Sequence, residues 1–103
     1  MYKIVYQMLQ SYNVLFDLME VLGKKWIVPV LIFLLFCEKT TFTKIKKQLG
    51  LTSRALSKKL KLLEALGLLE KIVENPRRVI YMLSDRGKRV SQMLLGFATG
   101  ISK

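Results

Sequence analysis

The sequence predicts a mainly helical α+β chain with one small β hairpin, and three observations predict it. Apolar residues recur at steps of three and four through most of the chain. Two β-prone runs, 68–73 and 79–83, flank the turn-forming stretch Glu74-Asn75-Pro76-Arg77-Arg78. The length, 103 residues, suits one domain with one core, so residues 1–103 are expected to form a single unit.

The elements follow in order. Over residues 2–22, Val5, Met8, Tyr12, Leu15, Met19 and Leu22 keep the spacing of heptad a and d positions, which predicts one long amphipathic helix ended by Gly23. Residues 25–36 form a second helix, apolar almost all round and therefore expected to be buried on nearly every side. Pro29 falls in its first turn, where a missing N–H costs little. Trp26 is expected to pack in the core, and Cys37, at the end of this helix, to be an inert core cysteine. The polar break at 38–41 has room for a very short strand. Phe42, Ile45 and Leu49 then mark a short third helix, capped by Thr41 or Thr43 and closed by Gly50. Thr52-Ser53 opens a fourth helix that runs to about Leu66, where Gly67 stops it. On its wheel Leu56, Leu60, Leu63 and Leu66 share one face. Arg54, Ser57, Lys58 and Lys61 share the other, and Lys59 lies nearer the apolar side. After the hairpin, Ser84 caps a last helix from 85 to about 97, with a frayed end over 100–103.

Composition narrows the function. Eighteen Lys and Arg against seven Asp and Glu give a net charge of +11. That excess points to an acidic partner, nucleic acid before an anionic membrane. Residues 1–37 carry a net charge of only +1 and residues 38–103 carry +10, so the binding face is expected in the second part. With no His and a single Cys, the chain offers no common general base, no intrachain disulfide and no Cys cluster for zinc. Asp17 and Glu20 are isolated on their helix and make no catalytic pair. No nucleophile–base set or phosphate loop is present, so an enzyme is not expected and no cofactor or metal is implied. The longest apolar run, 26–37, is twelve residues, too short to span a membrane. No signal peptide is read at the start, so the expected location is the cytoplasm, on the nucleoid.

The third and fourth helices, joined at Gly50-Leu51-Thr52, form a helix-turn-helix, and the hairpin beyond it forms a wing. A helix of ordinary diameter fits the DNA major groove, where each base pair shows a distinct donor and acceptor pattern. Ser53, Arg54, Ser57 and Lys58, in the N-terminal half of a recognition helix at about 53–66, are the candidates for reading bases. Lys44, Lys46, Lys47 and Lys61 suit backbone phosphates. Asn75, Arg77 and Arg78, on a wing tip at about 74–78, suit the backbone or the minor groove.

Leu22-Gly23-Lys24-Lys25-Trp26, Thr41-Phe42-Thr43-Lys44-Ile45, the run from Leu56 to Leu68 and the run from Arg78 to Lys88 together resemble the HxlR-type winged-helix transcription regulators, relatives of the MarR type. The resemblance covers about residues 17–90. It implies a homodimer held by terminal helices, with paired recognition helices in successive major grooves. The Cys-Pro element that members often carry before the first core helix is missing, so no redox-sensing cysteine is carried over. A small-molecule effector is left open, with no site for it readable in the sequence.

The amphipathic first and last helices carry more apolar surface than a small domain covers internally. Segments 1–22 and 85–98 are therefore expected to dimerise through Val5, Met8, Tyr12, Leu15, Met19, Met93, Leu94 and Phe97. The expected function is a dimeric, sequence-specific regulator bound to double-stranded DNA. The alternatives are a non-specific architectural or RNA-binding protein, and a winged-helix module that binds only protein.

Overall fold

Both ends of the most apolar helix turn through left-handed residues that are not glycine. The computed structural model describes the backbone of residues 13–101 and the side chains of residues 17–100. In chain order the elements are α1 (Asn13–Leu22), α2 (Ile27–Cys37), β1 (Lys39–Thr40), α3 (Phe42–Leu49), α4 (Ser53–Ala65), β2 (Leu69–Asn75), β3 (Arg78–Leu83) and α5 (Asp85–Ile101). The part of the first predicted helix before residue 13 lies outside the described residues. Gly23 follows α1 directly, but the left-handed turns that bracket α2 are taken by Trp26 (φ 72°) and Glu38 (φ 61°). Such conformations cost a non-glycine residue free energy that the surrounding structure must offset.

Helix α2 runs through the middle of the core. Ile27, Val30, Leu31 and Leu34, spaced i, i+3, i+4 and i+7, are fully or almost fully buried. They meet Ile45 from α3, Leu56, Leu60 and Leu63 from α4, and Leu68, Leu69, Tyr81 and Leu83 from the hairpin. Two expectations for this helix are corrected. It is not buried on nearly every side: one stripe is fully buried, Val28, Ile32, Phe33 and Leu35 are half-buried, and Pro29 and Phe36 stay exposed. Cys37 is not a core cysteine but an exposed free thiol, placed by the last turn of α2 beyond the packed stripe. Trp26 does pack against the core, half-buried.

The short strand foreseen near 38–41 is β1, and it pairs antiparallel with β3, so the sheet order is β1-β3-β2. The hairpin is longer than its apolar runs suggest. Backbone pairing continues from Leu69↔Leu83 to Asn75↔Arg78, with an irregularity at Glu74, and only Pro76 and Arg77 remain as the tip. The tip expected over 74–78 is thus corrected to two residues. Beyond Leu69 the whole of β2 is exposed as the outer strand, while β3 buries Ile80, Tyr81 and Leu83, so only the tip end of the ribbon stands clear of the body. Helix α5 also outruns its expected end at 97 or 98 and continues through Ile101. Gly96 and Gly100 sit inside it, with open space where a side chain would be. Among the described residues no helix is long and apolar enough to cross a membrane.

One junction joins the two halves of the fold. The Ser84 hydroxyl donates to the Gly67 carbonyl (2.6 Å) and accepts from the Gly87 N–H (3.0 Å), while the Ser84 N–H donates to the Leu68 carbonyl (3.0 Å). The expected Ser84 cap therefore also ties the exit of α4 to the start of α5. Gly87 is required there, because a Cβ would collide with the Leu68 carbonyl oxygen. Four residues on, Ser91 is completely buried, and its hydroxyl has no hydrogen-bonding partner among the described residues.

Gly87→Ala is expected to destabilise the protein by about 3 kcal/mol, the upper end for overpacking a tight site. Thermal denaturation followed by circular dichroism should show a melting temperature lower by roughly 10 °C or more. Ser91→Ala removes a buried, unsatisfied hydroxyl without opening a large cavity, so the same measurement should show an unchanged or raised melting temperature.

Candidate nucleic-acid interface

Helix α4 is anchored on one side and open on the other. Leu56, Leu60 and Leu63 are at most 2% exposed, and each contributes about 2 kcal/mol on burial. Leu51, in the turn before the helix, is also buried, and this fixes the angle at which α4 leaves α3. Thr41 caps α3 by accepting the Lys44 N–H (3.4 Å), and Gly50 closes it in the left-handed region (φ 66°). Thr52 caps α4 by accepting the Ala55 N–H (3.1 Å). The third and fourth helices therefore form a helix-turn-helix with both caps supplied by threonine.

On the open side of α4, Ser53, Arg54, Lys58 and Lys61 are exposed and Ser57 is half-buried. Arg54, Lys58 and Lys61 follow one another by four and three residues, so they form one cationic ridge along the helix. Lys59 is half-buried on the flank. The first-turn N–H groups at Ser53 and Arg54 have no intrahelical acceptors and add partial positive charge at the same end. Helix α4 packs on β2, so the ridge and the base of the ribbon belong to neighbouring elements.

The three lysines grouped on α3 separate into two settings. Lys46 borders the hollow beside the turn, with Thr43, Gly50 and Leu51. Lys44 faces a cleft on another side, toward Phe33 and Cys37, and Lys47 borders both. The wing residues divide as well. Asn75 ends β2, and its Oδ1 accepts the Arg77 N–H (2.9 Å), so this side-chain oxygen shapes the tip. Arg78 pairs with Glu74 through its Nε (2.9 Å), both groups being at least half exposed, so the pair is weak and open to exchange. Arg77 stands exposed at the tip itself. The Glu74–Arg78 pair was not foreseen, although the four-residue spacing across a tight turn was visible in the sequence.

A second surface lies between α1 and α5. Leu18, Met19, Leu22, Val90, Met93, Leu94 and Phe97 line an almost wholly apolar groove of about 290 Å3. Met19, Met93 and Phe97 are 59%, 74% and 70% exposed, far more than such side chains usually are in clusters on a monomer. Of the residues expected to dimerise, Met19, Met93, Leu94 and Phe97 meet here. Val5, Met8, Tyr12 and the side chain of Leu15 lie outside the described residues.

Comparison with known proteins agrees with this geometry. The family model for the HxlR-like helix-turn-helix matches residues 21–101. An uncharacterized HTH-type transcriptional regulator of Bacillus subtilis, YvaP, is 36% identical over 78 residues, covering 73% of this chain and 71% of that protein. Among solved structures, a possible HxlR family transcriptional factor from Thermoplasma volcanium superposes with a TM-score of 0.67 at 27% identity, covering 82% of this chain and 77% of the other. The transcriptional repressor BigR from Xylella fastidiosa reaches a TM-score of 0.76 over 95% of this chain and 96% of its own, and at 17% identity it shows the shared fold alone. The threonine-capped helix pair, the basic outer ridge, the ribbon and the matched family model have one reading: the chain belongs to the HxlR-like helix-turn-helix family and is a DNA-binding transcriptional regulator.

Proposed function

We propose that the protein binds duplex DNA as a homodimer and recognises a two-fold symmetric site. One observation carries this reading: the outer ridge of α4 is cationic and exposed while its back is locked by buried leucines. A ridge held this rigidly enters a major groove with little further ordering, and Ser53, Arg54, Ser57 and Lys58 read base edges there. Lys61, Lys46, Lys47 and Lys44 neutralise phosphates along the flanks. Arg77 reaches the adjacent backbone or minor groove from the ribbon tip. Arg78 follows by exchanging Glu74 for a phosphate, a cheap exchange for an exposed pair.

The apolar groove of α1 and α5 supports the dimer. A second copy would cover Met19, Met93 and Phe97, and two-fold symmetry would set the two recognition helices about one turn of DNA apart. Residues 1–22 and the last helix are then the dimerisation elements of a single DNA-binding domain. Such a regulator acts on the nucleoid in the cytoplasm. A non-specific binder would use the same charges, and competition against random duplex separates the two readings.

Arg54→Ala is expected to weaken binding to the preferred site by ~1–3 kcal/mol and to flatten discrimination at one base position, measured by binding-site selection and titration. With six or more phosphate contacts, wild-type affinity should fall by about 10³-fold or more between 50 and 200 mM salt. An Arg54→Ala protein that binds its preferred site like the wild type would remove α4 from the reading role. Phe97→Glu and Met93→Glu are each expected to convert the dimer to monomer in sedimentation equilibrium without loss of helical signal. DNA affinity should then drop about tenfold or more as the second half-site is lost.

A further inference from the structure

A cleft of about 570 Å3 opens where the end of α2, strand β1 and one side of α3 meet. We propose that it binds a small phosphate monoester with an apolar body, at a place distinct from the base-reading ridge. Lys39, Lys44 and Lys47 line it, and no carboxylate does. Three ammonium groups in a lining without a carboxylate favour a multiply charged anion, and lysine meets phosphate well as a compact point charge.

Thr40 supplies a second, independent observation. It is 5% exposed, it lines the cleft, and its hydroxyl has no hydrogen-bonding partner among the described residues. The hydroxyl keeps an edge that solvent reaches, so a ligand oxygen entering the cleft can pair with it. The Gln48 amide borders the same space with two more donors. The opposite wall is Phe33 and the Cys37 Sγ end of α2, which an inorganic ion would leave unused. The cleft is also far larger than one phosphate and lies within the usual range for small-molecule sites.

A phosphate of bound DNA has the same head group but no apolar body, so the two sources can be told apart. The proposal rests on the proposed DNA reading in one respect only. If Lys44 and Lys47 neutralise DNA phosphates, the ligand and DNA compete for them, and each weakens the other by the same factor.

The test is a calorimetric titration of the full chain with phenyl phosphate, first without DNA. Saturable binding at one site per chain, tighter than for inorganic phosphate, is expected. Thr40→Val and Lys39→Gln should each weaken it about fivefold while leaving the melting temperature unchanged. Near saturation, phenyl phosphate should lower the affinity for duplex DNA. Absence of saturable binding, equal affinity for inorganic phosphate, or indifference to both substitutions would overturn the proposal, the last result marking loose association with a highly basic chain. Protection of the Lys39 and Thr40 amides from exchange by duplex DNA, but not by phenyl phosphate, would assign the cleft to the DNA backbone and overturn it too. A chain that binds phenyl phosphate in this way but not DNA would overturn the DNA reading alone.

Discussion

The fold depends on the contact between the Leu68 backbone and the first turn of α5. At this point the helix that carries the cationic ridge ends and the helix that carries the apolar groove begins. Only fifteen residues of ribbon and connection lie between Leu68 and Ser84, and the tip of the ribbon projects away from the body. The Ser84 hydroxyl bridging the Gly67 carbonyl and the Gly87 N–H, and the bare Cα of Gly87, set the start of α5 against the end of α4, while packing on α2 and the contacts of Val90 and Leu94 with the core hold the rest of the helix. For a dimer that reads two half-sites, this angle matters more than the strength of any single DNA contact. A few degrees at the junction become several ångströms at a recognition helix, and DNA does not stretch to match.

Apolar surface is spent on two separate purposes. The stripe Ile27, Val30, Leu31 and Leu34 forms the buried centre around α2, with Phe33 and Leu35 packing half-buried beside it. The groove of Leu18, Leu22, Val90 and Leu94, rimmed by Met19, Met93 and Phe97, lies outside that core and remains open to water. Methionines suit such a rim because flexible side chains repack against a second surface at little cost. Phe36 is a different case: it is 69% exposed on the far side of α2, and nothing in the structure accounts for its choice.

Charge is organised with similar economy. Among the described residues the cations of α3 and α4 form no ion pair, so their placement comes from the backbone and not from partners. Glu74, by contrast, has its place beside the ribbon tip, where it pairs with Arg78. The tip is also stiff by construction. Pro76 presets one dihedral, and the Asn75 side chain holds the next amide. On the proposed DNA reading, little conformational entropy would remain to be lost when Arg77 docks.

The sequence by itself determined the order of the elements, the place of the α4 cap, the choice of Thr41 or Thr43 for the α3 cap, the buried leucine face of α4 and its cationic ridge. These are local properties: helical period, capping chemistry and turn residues act over a few positions and need no knowledge of neighbours. Tertiary structure decided the rest. That Cys37 lies in water could not be read from an apolar run, because which stripe of such a helix meets the core depends on what packs against it. The ribbon reached Asn75 and Arg78 because backbone pairing zips strands past their apolar runs. The separation of Lys44 from Lys46 depended on α2 and the turn lying on different sides of α3. Gly87 was visible only as one glycine among six, and its necessity came from a carbonyl oxygen nineteen residues away in the chain. Periodicity records how much surface a residue must hide, and only packing records from what.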